Sequence, residues 1–312
     1  MFVIRHKAIF FLISGALVVA SLVMLAVWGL NPGVDFSGGS IVQVGYSTST
    51  RPSVDTVKAM VEEAGFNDVT VRESGDSSLT IRTQMLVDAN RTTLTNLLTG
   101  TSTTGTTTAV TGVIERLSSV GPTVGEELRR KTLIAISLVI LIIILYVAFV
   151  FRKVSKPISS WMYGLVAILT LLHDIIIPTG AFVLLGHLNG LEADTLFVVA
   201  LLTILGVSVS DTIVVFDRIR ENLRLNGESR VKEPFDETVG KSLQQTYVRS
   251  FNTSFSIILV LLILFFLGGP TIHSFMLTLL VGQIAGTYSS IFIASPLLVV
   301  IANRKLEKEA RH

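Results

Sequence analysis

Six apolar runs dominate the hydropathy pattern: residues 8–30, 132–151, 158–185, 194–216, 250–267 and 274–302. A membrane-spanning helix needs about 20 mostly apolar residues, so the pattern predicts six transmembrane helices. The first run follows Arg5, His6 and Lys7. It is longer than a signal-peptide core and lacks a small-residue cleavage site at its end, which reads as an uncleaved anchor. Trp28, Trp161 and Tyr163 fall near run ends, where aromatic rings favour the membrane interface.

Between the first two runs the pattern shortens and alternates. Residues 41–46 read as a strand. Ser53 caps a helix with Val54, Val57, Met60 and Val61 on one face, closed by Gly65. Strands at 69–72 and 79–83 flank a turn at 74–78, and Asp88 caps a second helix through Leu94, Leu97 and Leu98. A Thr/Gly/Ser-rich loop at 100–108 precedes a strand at 110–117. The order β-α-β-β-α-β predicts a ferredoxin-like α+β sandwich. The chain therefore reads as an anchor (1–30), an external domain (31–131), five further spans (132–303) with a loop at 217–248, and a tail (304–312).

Composition agrees with a polytopic α-helical membrane protein. Of 312 residues, 50% are hydrophobic and only 15% charged, against about 25% charged in a soluble domain. Mean hydropathy is +0.66. The absence of cysteine removes disulfides, thiol catalysis and thiolate metal sites. A net charge of +2 argues against nucleic-acid binding. The positions of the cations say more than their number. Arg5, Lys7, Arg152, Lys153, Lys156, Arg218, Arg220, Arg224, Arg230, Lys232, Lys241, Arg304, Lys305, Lys308 and Arg311 fall on alternate connections, whereas 186–193 and 268–273 carry no Lys or Arg. The positive-inside rule then places both termini and the basic loops in the cytoplasm and 31–131 outside.

Ionisable residues at membrane depth are costly and are candidates for function. His173 and Asp174 lie mid-way along the third run, Asp211 in the inner half of the fourth, and Arg249 at the start of the fifth. Ser208 lies one turn from Asp211, and Gly206 with Ser210 form a small-residue pair suited to close packing. Gln245, Arg249, Asn252, Thr253 and Ser256 recur at helical spacing as one polar face. Gly282, Gln283, Gly286, Thr287 and Ser290 form a face in the sixth run, whereas the second run is nearly devoid of polar residues and should face lipid. Two readings of Asp211 and Arg249 stand side by side. They could form a structural ion pair, or a proton relay in which Arg249 gates Asp211. An apolar setting disfavours an ionised carboxylate and an approaching guanidinium favours it, so helix motion would change proton affinity. For His173 and Asp174, relay and packing are equally open. Asp194 reads as a helix cap, and Asp217, Arg218 and Glu221 as a helix-end network.

Gly240-Lys241-Ser242 resembles the end of a phosphate-binding loop, but Phe235 occupies the position of its first glycine. No motif calls for a cofactor or metal, and no catalytic constellation marks an enzyme.

Several segments together resemble the SecF family of protein-export membrane proteins, within the SecD/SecF family of the RND superfamily. They are Val34-Asp35-Phe36-Ser37-Gly38-Gly39-Ser40, His173-Asp174, the stretch from Val207 through Asp211, Asp217 and Arg218 to Asn222, and Arg249-Ser250-Phe251-Asn252-Thr253-Ser254. Ser210 stands where that family commonly has Asn. The resemblance covers the whole chain in order. It implies an RND-like half with six helices that pairs with SecD, assists the SecYEG channel alongside SecA, and uses the proton-motive force on exported preproteins; YajC is a further candidate partner. It also implies that Asp211 and Arg249 are the family's essential aspartate and arginine. A small-molecule exporter half is a rival reading, opposed by the shortness of 31–131. A purely structural subunit is another, and neutralising Asp211 would separate it from a transporter.

Overall fold

The structure, a computed structural model, describes residues 2–47, 51–75, 77–100, 112–150, 158–228 and 233–309. Among the described residues, six helical segments are long and apolar enough to cross a membrane. The chain divides into a helical unit (Met1–Leu30, Ala135–Leu191 and Leu196–His312) and a sheet unit (Asn31–Ile134 with Glu192–Thr195).

The first long helix is Lys7–Trp28 (α1). The sheet unit follows with Gly39–Gly45 (β1), Val54–Glu63 (α2), Thr70–Ser74 (β2), Ser78–Thr83 (β3), Asp88–Thr99 (α3) and Val113–Val120 (β4). The strands are ordered β2-β3-β1-β4 with every neighbour antiparallel, which is the ferredoxin-like arrangement. Val42, Val44, Leu79 and Ile81 on the sheet bury against Val57, Val61, Leu94 and Leu98 on the two helices. The Ser53 hydroxyl accepts the Thr56 amide at 3.2 Å and caps α2 as expected. Asp88 does not cap α3: Val87 holds that position and Asp88 is the first helical residue, where its charge still favours the helix dipole. Residues 101–108 of the expected loop, and the first two residues of the strand expected at 110–117, lie outside the described residues.

β1 begins at Gly39, earlier than expected, because Gly38 and Gly39 turn the chain into it. Their φ values are 75° and 119°, a region open to glycine. A Cβ on Gly39 would also lie 2.9 Å from the Thr83 carbonyl oxygen. This double requirement accounts for a Gly-Gly pair at that point.

The remaining helices are Pro122–Val150 (α4), Ser160–Asn189 (α5), Thr195–Glu228 (α6), Phe235–Leu267 (α7), Pro270–Ser289 (α8) and Ser295–Glu309 (α9). A π turn, Ser290–Ala294, joins the last two without a break. Two boundaries differ from the sequence reading. α4 starts at Pro122, inside the segment assigned to the external domain, because good helix formers such as Glu127 and Lys131, paired at 2.9 Å, extend the apolar run with a polar turn. The stretch 217–248 is mostly helix, since α6 continues to Glu228 and α7 begins at Phe235. Arg and Leu residues sustain α6 beyond its apolar part, and Asn226 closes the connection through bonds of 2.8 Å to both the Glu233 amide and carbonyl. Arg152, Lys153, Lys156, Arg230, Lys232 and Arg311 lie outside the described residues.

Within the helical unit only 6% of the apolar window of α4 is buried, against 56% for the last segment. Tyr163, expected at an interface, is instead fully buried and packs edge-on against Phe216 at 5.4 Å. Trp28 stacks on His187 at 4.4 Å.

Candidate functional site

The polar centre of the helical unit begins on α5. Asp174 is fully buried. Its Oδ1 meets His173 Nδ1 at 2.8 Å. Its Oδ2 accepts from the hydroxyls of Ser208 on α6 and Ser289 on α8, the latter at 2.8 Å. Three donors from three helices thus converge on one carboxylate, which is how a buried charge is tolerated. Pro178 lies one turn on and lacks the amide that would bond the Asp174 carbonyl, opening the α5 ladder there. His173 Nε2 is buried without a partner, and its ring lies 6.4 Å from that of Tyr288.

Asp211 is placed differently. It lines a cleft of about 330 Å³ together with Gly206, Ser210, Arg249, Thr253, Ser254 and Gln283. Its Oδ2 is buried and has no hydrogen-bond partner. Among the described residues no ion pair joins Asp211 to Arg249, although both line the same cleft. Arg249 also lines a second cleft of about 260 Å³, with Asp217, Arg218, Glu221 and Gln245. The guanidinium-bearing residue therefore stands where the two clefts meet. Around the second cleft Arg218 donates to Gln245 Oε1 at 2.6 Å and to Glu221 Oε2 at 2.5 Å, and Asp217 pairs with Arg220 at 2.8 Å.

Several expectations change on the structure. Ser208 serves Asp174, because it lies on the buried side of α6 while Asp211 is only half-buried. Gly206 and Ser210 do not pack against a helix: both are exposed on the cleft, and a Cβ on Gly206 would meet nothing within 4 Å. Close packing falls to Gly282 and Gly286 on α8, whose Cβ positions lie 2.1 Å from Ile204 Cδ1 and 3.2 Å from Ser208 Cβ. The polar face of α7, with Gln245, Arg249, Asn252, Thr253 and Ser256, is exposed, whereas Thr246, Ser250 and Ser254 on the opposite side are buried. Gln283 donates to Ser254 and Thr287 at 3.4 and 3.3 Å. Gly240-Lys241-Ser242 sits inside α7, where its amides belong to the helix.

Sequence reasoning missed Ser289. It follows Gly282 and Gly286 on the same small-residue face, and that period was the available signal. Immediately after it comes the π turn, Ser290–Ala294. Ser290, the first residue of that turn, meets Thr212 at 3.0 Å.

In the sheet unit, Asp35 Oδ2 accepts from the amide and hydroxyl of Thr195 at 2.9 and 2.7 Å. Phe36 lies in a one-turn helix, Val34–Ser37, that leads into Gly38 and Gly39.

Residues 82–304 match the family model for the protein export membrane protein SecD/SecF, C-terminal, and residues 23–50 match the SecD/SecF GG motif. Protein translocase subunit SecF of Thermobaculum terrenum is 41% identical over 97% of this chain and 94% of its own. SecF of Anaerolinea thermophila is 34% identical over 96% and 93%. A crystal structure of SecDF from Thermus thermophilus, a translocon-associated membrane protein, superposes with a TM-score of 0.80 at 32% identity. It covers 96% of this chain, which spans 38% of that longer protein. The matches are collinear with the chain, and they take in both the Gly-Gly turn and the helices that carry Asp174, Asp211 and Arg249. This multi-pass membrane protein, a subunit of the Sec export machinery with an RND-like fold, belongs to the SecD/SecF family of protein-export membrane proteins.

Proposed function

We propose that the chain acts as the SecF-type half of a proton-driven export device, in which Asp211 takes up and releases protons under the control of Arg249. The observation that carries this reading is the unpartnered carboxyl oxygen of Asp211 in a cleft that Arg249 shares with the Asp217–Glu221 cleft. A cleft of about 330 Å³ has room for roughly ten water molecules at about 30 Å³ each. Water is thus able to deliver protons to Asp211. When Arg249 approaches, it favours the carboxylate and the proton leaves; when it withdraws, the apolar walls favour the neutral acid. Each charge that crosses the membrane is driven by about 2.3 kcal/mol per 100 mV. His173 and Asp174 are the second tier of the relay, tied to the Asp211 helix through Ser208.

The setting of this device is the cell inner membrane, with both termini in the cytoplasm and residues 31–131 outside. Its partners are a SecD-type subunit, the SecYEG channel with YajC, and the exported preprotein. SecD is favoured by the fused SecDF relatives and by the exposed polar face of α7, which lipid would cover only at a cost of several kcal/mol. The chain performs no bond chemistry of its own and needs no cofactor. Single cysteines test the topology, and labelling of position 230 only from outside would overturn it.

The deciding experiment is reconstitution with a SecD-type subunit in vesicles, with proton flux and preprotein export read together. Asp211→Asn keeps size and hydrogen bonding but does not ionise. It is expected to assemble normally and to lose both activities at least tenfold. An Asp211→Asn protein that conducts protons and stimulates export like the unmodified one defeats the relay.

A further inference from the structure

The sheet unit includes four residues that the sequence places between two membrane helices, Glu192–Thr195. Three independent sets of contacts hold them there. The first is backbone pairing: Gly33 donates its amide to the Ala193 carbonyl at 2.7 Å, and Ala193 donates to Asn31 at 2.8 Å. This pairing needs Gly33, whose Cβ would lie 2.9 Å from the Ala193 oxygen. The second is ionic: Glu192 Oε1 lies 3.0 Å from Arg82 Nη1 and 3.6 Å from Arg72 Nη1. Arg82 also donates to Ser37 Oγ at 2.7 Å, which binds the same cluster to the Asp35-Phe36-Ser37 turn. The third is the Asp35 carboxylate, whose Oδ2 takes both the amide and the hydroxyl of Thr195.

Thr195 is the first residue of α6, and α6 is one unbroken helix to Glu228. Asp211 follows sixteen residues later, about 24 Å along the same rod at 1.5 Å per residue. The helix that bears the titrating carboxyl therefore originates inside the sheet unit, and its first amide is held by the Asp-Phe-Ser-Gly-Gly turn. Asp35 thereby satisfies one of the amides that a helix start leaves without an intrahelical partner.

We propose that Asp35 is a positioning residue that transmits load on the sheet unit to Asp211. By clamping Thr195, with the Arg82–Glu192 pair beside it, Asp35 makes axial and rotational displacement of the sheet unit a displacement of α6. Asp211 then moves relative to Arg249 on α7, and its readiness to take a proton changes. This rests on the relay role proposed for Asp211.

The test uses the full chain reconstituted with a SecD-type subunit, with Asp35→Ala, Asp35→Asn and Thr195→Val compared with the unmodified protein. Two quantities are read: hydrogen exchange of the amides at 195–198, and the pH at which proton flux is half-maximal. Asparagine keeps an acceptor oxygen in the same place, so Asp35→Asn is expected to match the unmodified protein in both. Asp35→Ala is expected to exchange at least tenfold faster at 195–198 and to shift the pH midpoint; Thr195→Val, which loses the hydroxyl contact alone, is expected between the two. Unchanged exchange in Asp35→Ala overturns the clamp. Faster exchange with an unmoved pH midpoint leaves a local cap and overturns the coupling. Failure of Asp35→Asn alongside Asp35→Ala would assign the effect to charge and also overturn it. If Asp35→Ala does not fold, Thr195→Val carries the same two readings: unchanged exchange at 195–198 overturns the clamp, and faster exchange with an unmoved pH midpoint overturns the coupling. Absence of proton flux in the unmodified protein would sink the relay and the coupling together, while exchange still decides the clamp.

Discussion

Asp174 and Asp211 sit on consecutive apolar helices and have the same side chain, yet their surroundings are opposite. Asp174 has no exposure and is met by His173, Ser208 and Ser289. Asp211 is half-buried, lines a cleft, and leaves Oδ2 without a partner. A buried carboxylate met by three donors is costly to remove, whereas one with an unpartnered oxygen beside a cleft is cheaper to alter. The two carboxyls thus differ, within one bundle, in how many donors the surrounding helices bring to them.

The most severe way to break that contrast is Asp174→Ala. It would leave the buried His173 and Ser208 donors unpaired and take one of two acceptors from Ser289, whose hydroxyl also reaches the Gly286 carbonyl at 3.0 Å, and is expected to cost about 3–5 kcal/mol of stability, read as a lowered thermal midpoint in detergent. Asp211→Ala is expected to change stability by no more than about 1 kcal/mol. Equal losses would abolish the distinction. Next in size, Ser289→Ala removes one charged hydrogen bond to Asp174 and is expected to cost about 1.5–3 kcal/mol, whereas Ser210→Ala on the cleft should change the midpoint little. A third comparison uses glycines. Gly282→Ala places a Cβ 2.1 Å from Ile204 Cδ1 and is expected to cost about 1–3 kcal/mol by overpacking. Gly206→Ala meets open space and is expected to stabilise the helix by up to about 1 kcal/mol.

The smallest effect belongs to the sheet unit, where Tyr46 offers a control for unpartnered polar atoms in general. Its hydroxyl is buried without a partner, and burial pushes its pKa up to about 12. Tyr46→Phe should change stability at neutral pH by less than about 1 kcal/mol. The raised value favours the neutral phenol in the fold, so this contribution is intact below about pH 10 and is lost as pH rises towards 12. The phenylalanine variant should lack that component of alkaline unfolding. A large loss at neutral pH would mean that an orphan polar atom signals a hidden structural role, at Tyr46 and at Asp211 alike.

Much of this architecture is legible from the chain because lipid and water impose different periods. Six apolar runs announce six helices, and alternation around 41–46 and 79–83 announces strands. Asp211, Arg249, His173 and Asp174 stand out because ionisable groups in apolar runs demand a reason. What spacing does not give is rotation about each helix axis. Ser208 lies three residues from Asp211, which suggested a shared role, but the facing helices turn it towards Asp174. Ser289 escaped notice because a serine in an apolar helix is tolerated through bonds to its own backbone; its importance depends on what lies opposite. Helix ends failed for a related reason: polar helix formers at 122–131 and 217–228 continue a helix after hydropathy has fallen.

The π turn at Ser290–Ala294 inserts one residue's worth of slack into the final transmembrane segment. Upstream of it, Gly282, Gly286 and Ser289 form one register; downstream, Leu298, Val299 and Ala302 are buried in another. Winding the same residues as a regular α-helix would rotate one half against the other by about 100°, so that Ser289 and the Leu298 seam could no longer both face inward, whereas deleting one residue within 290–294 would remove the turn and keep both faces. The two leaflets' worth of helix are therefore phased separately, and the segment behaves as a pair of keys cut to different locks on one shaft.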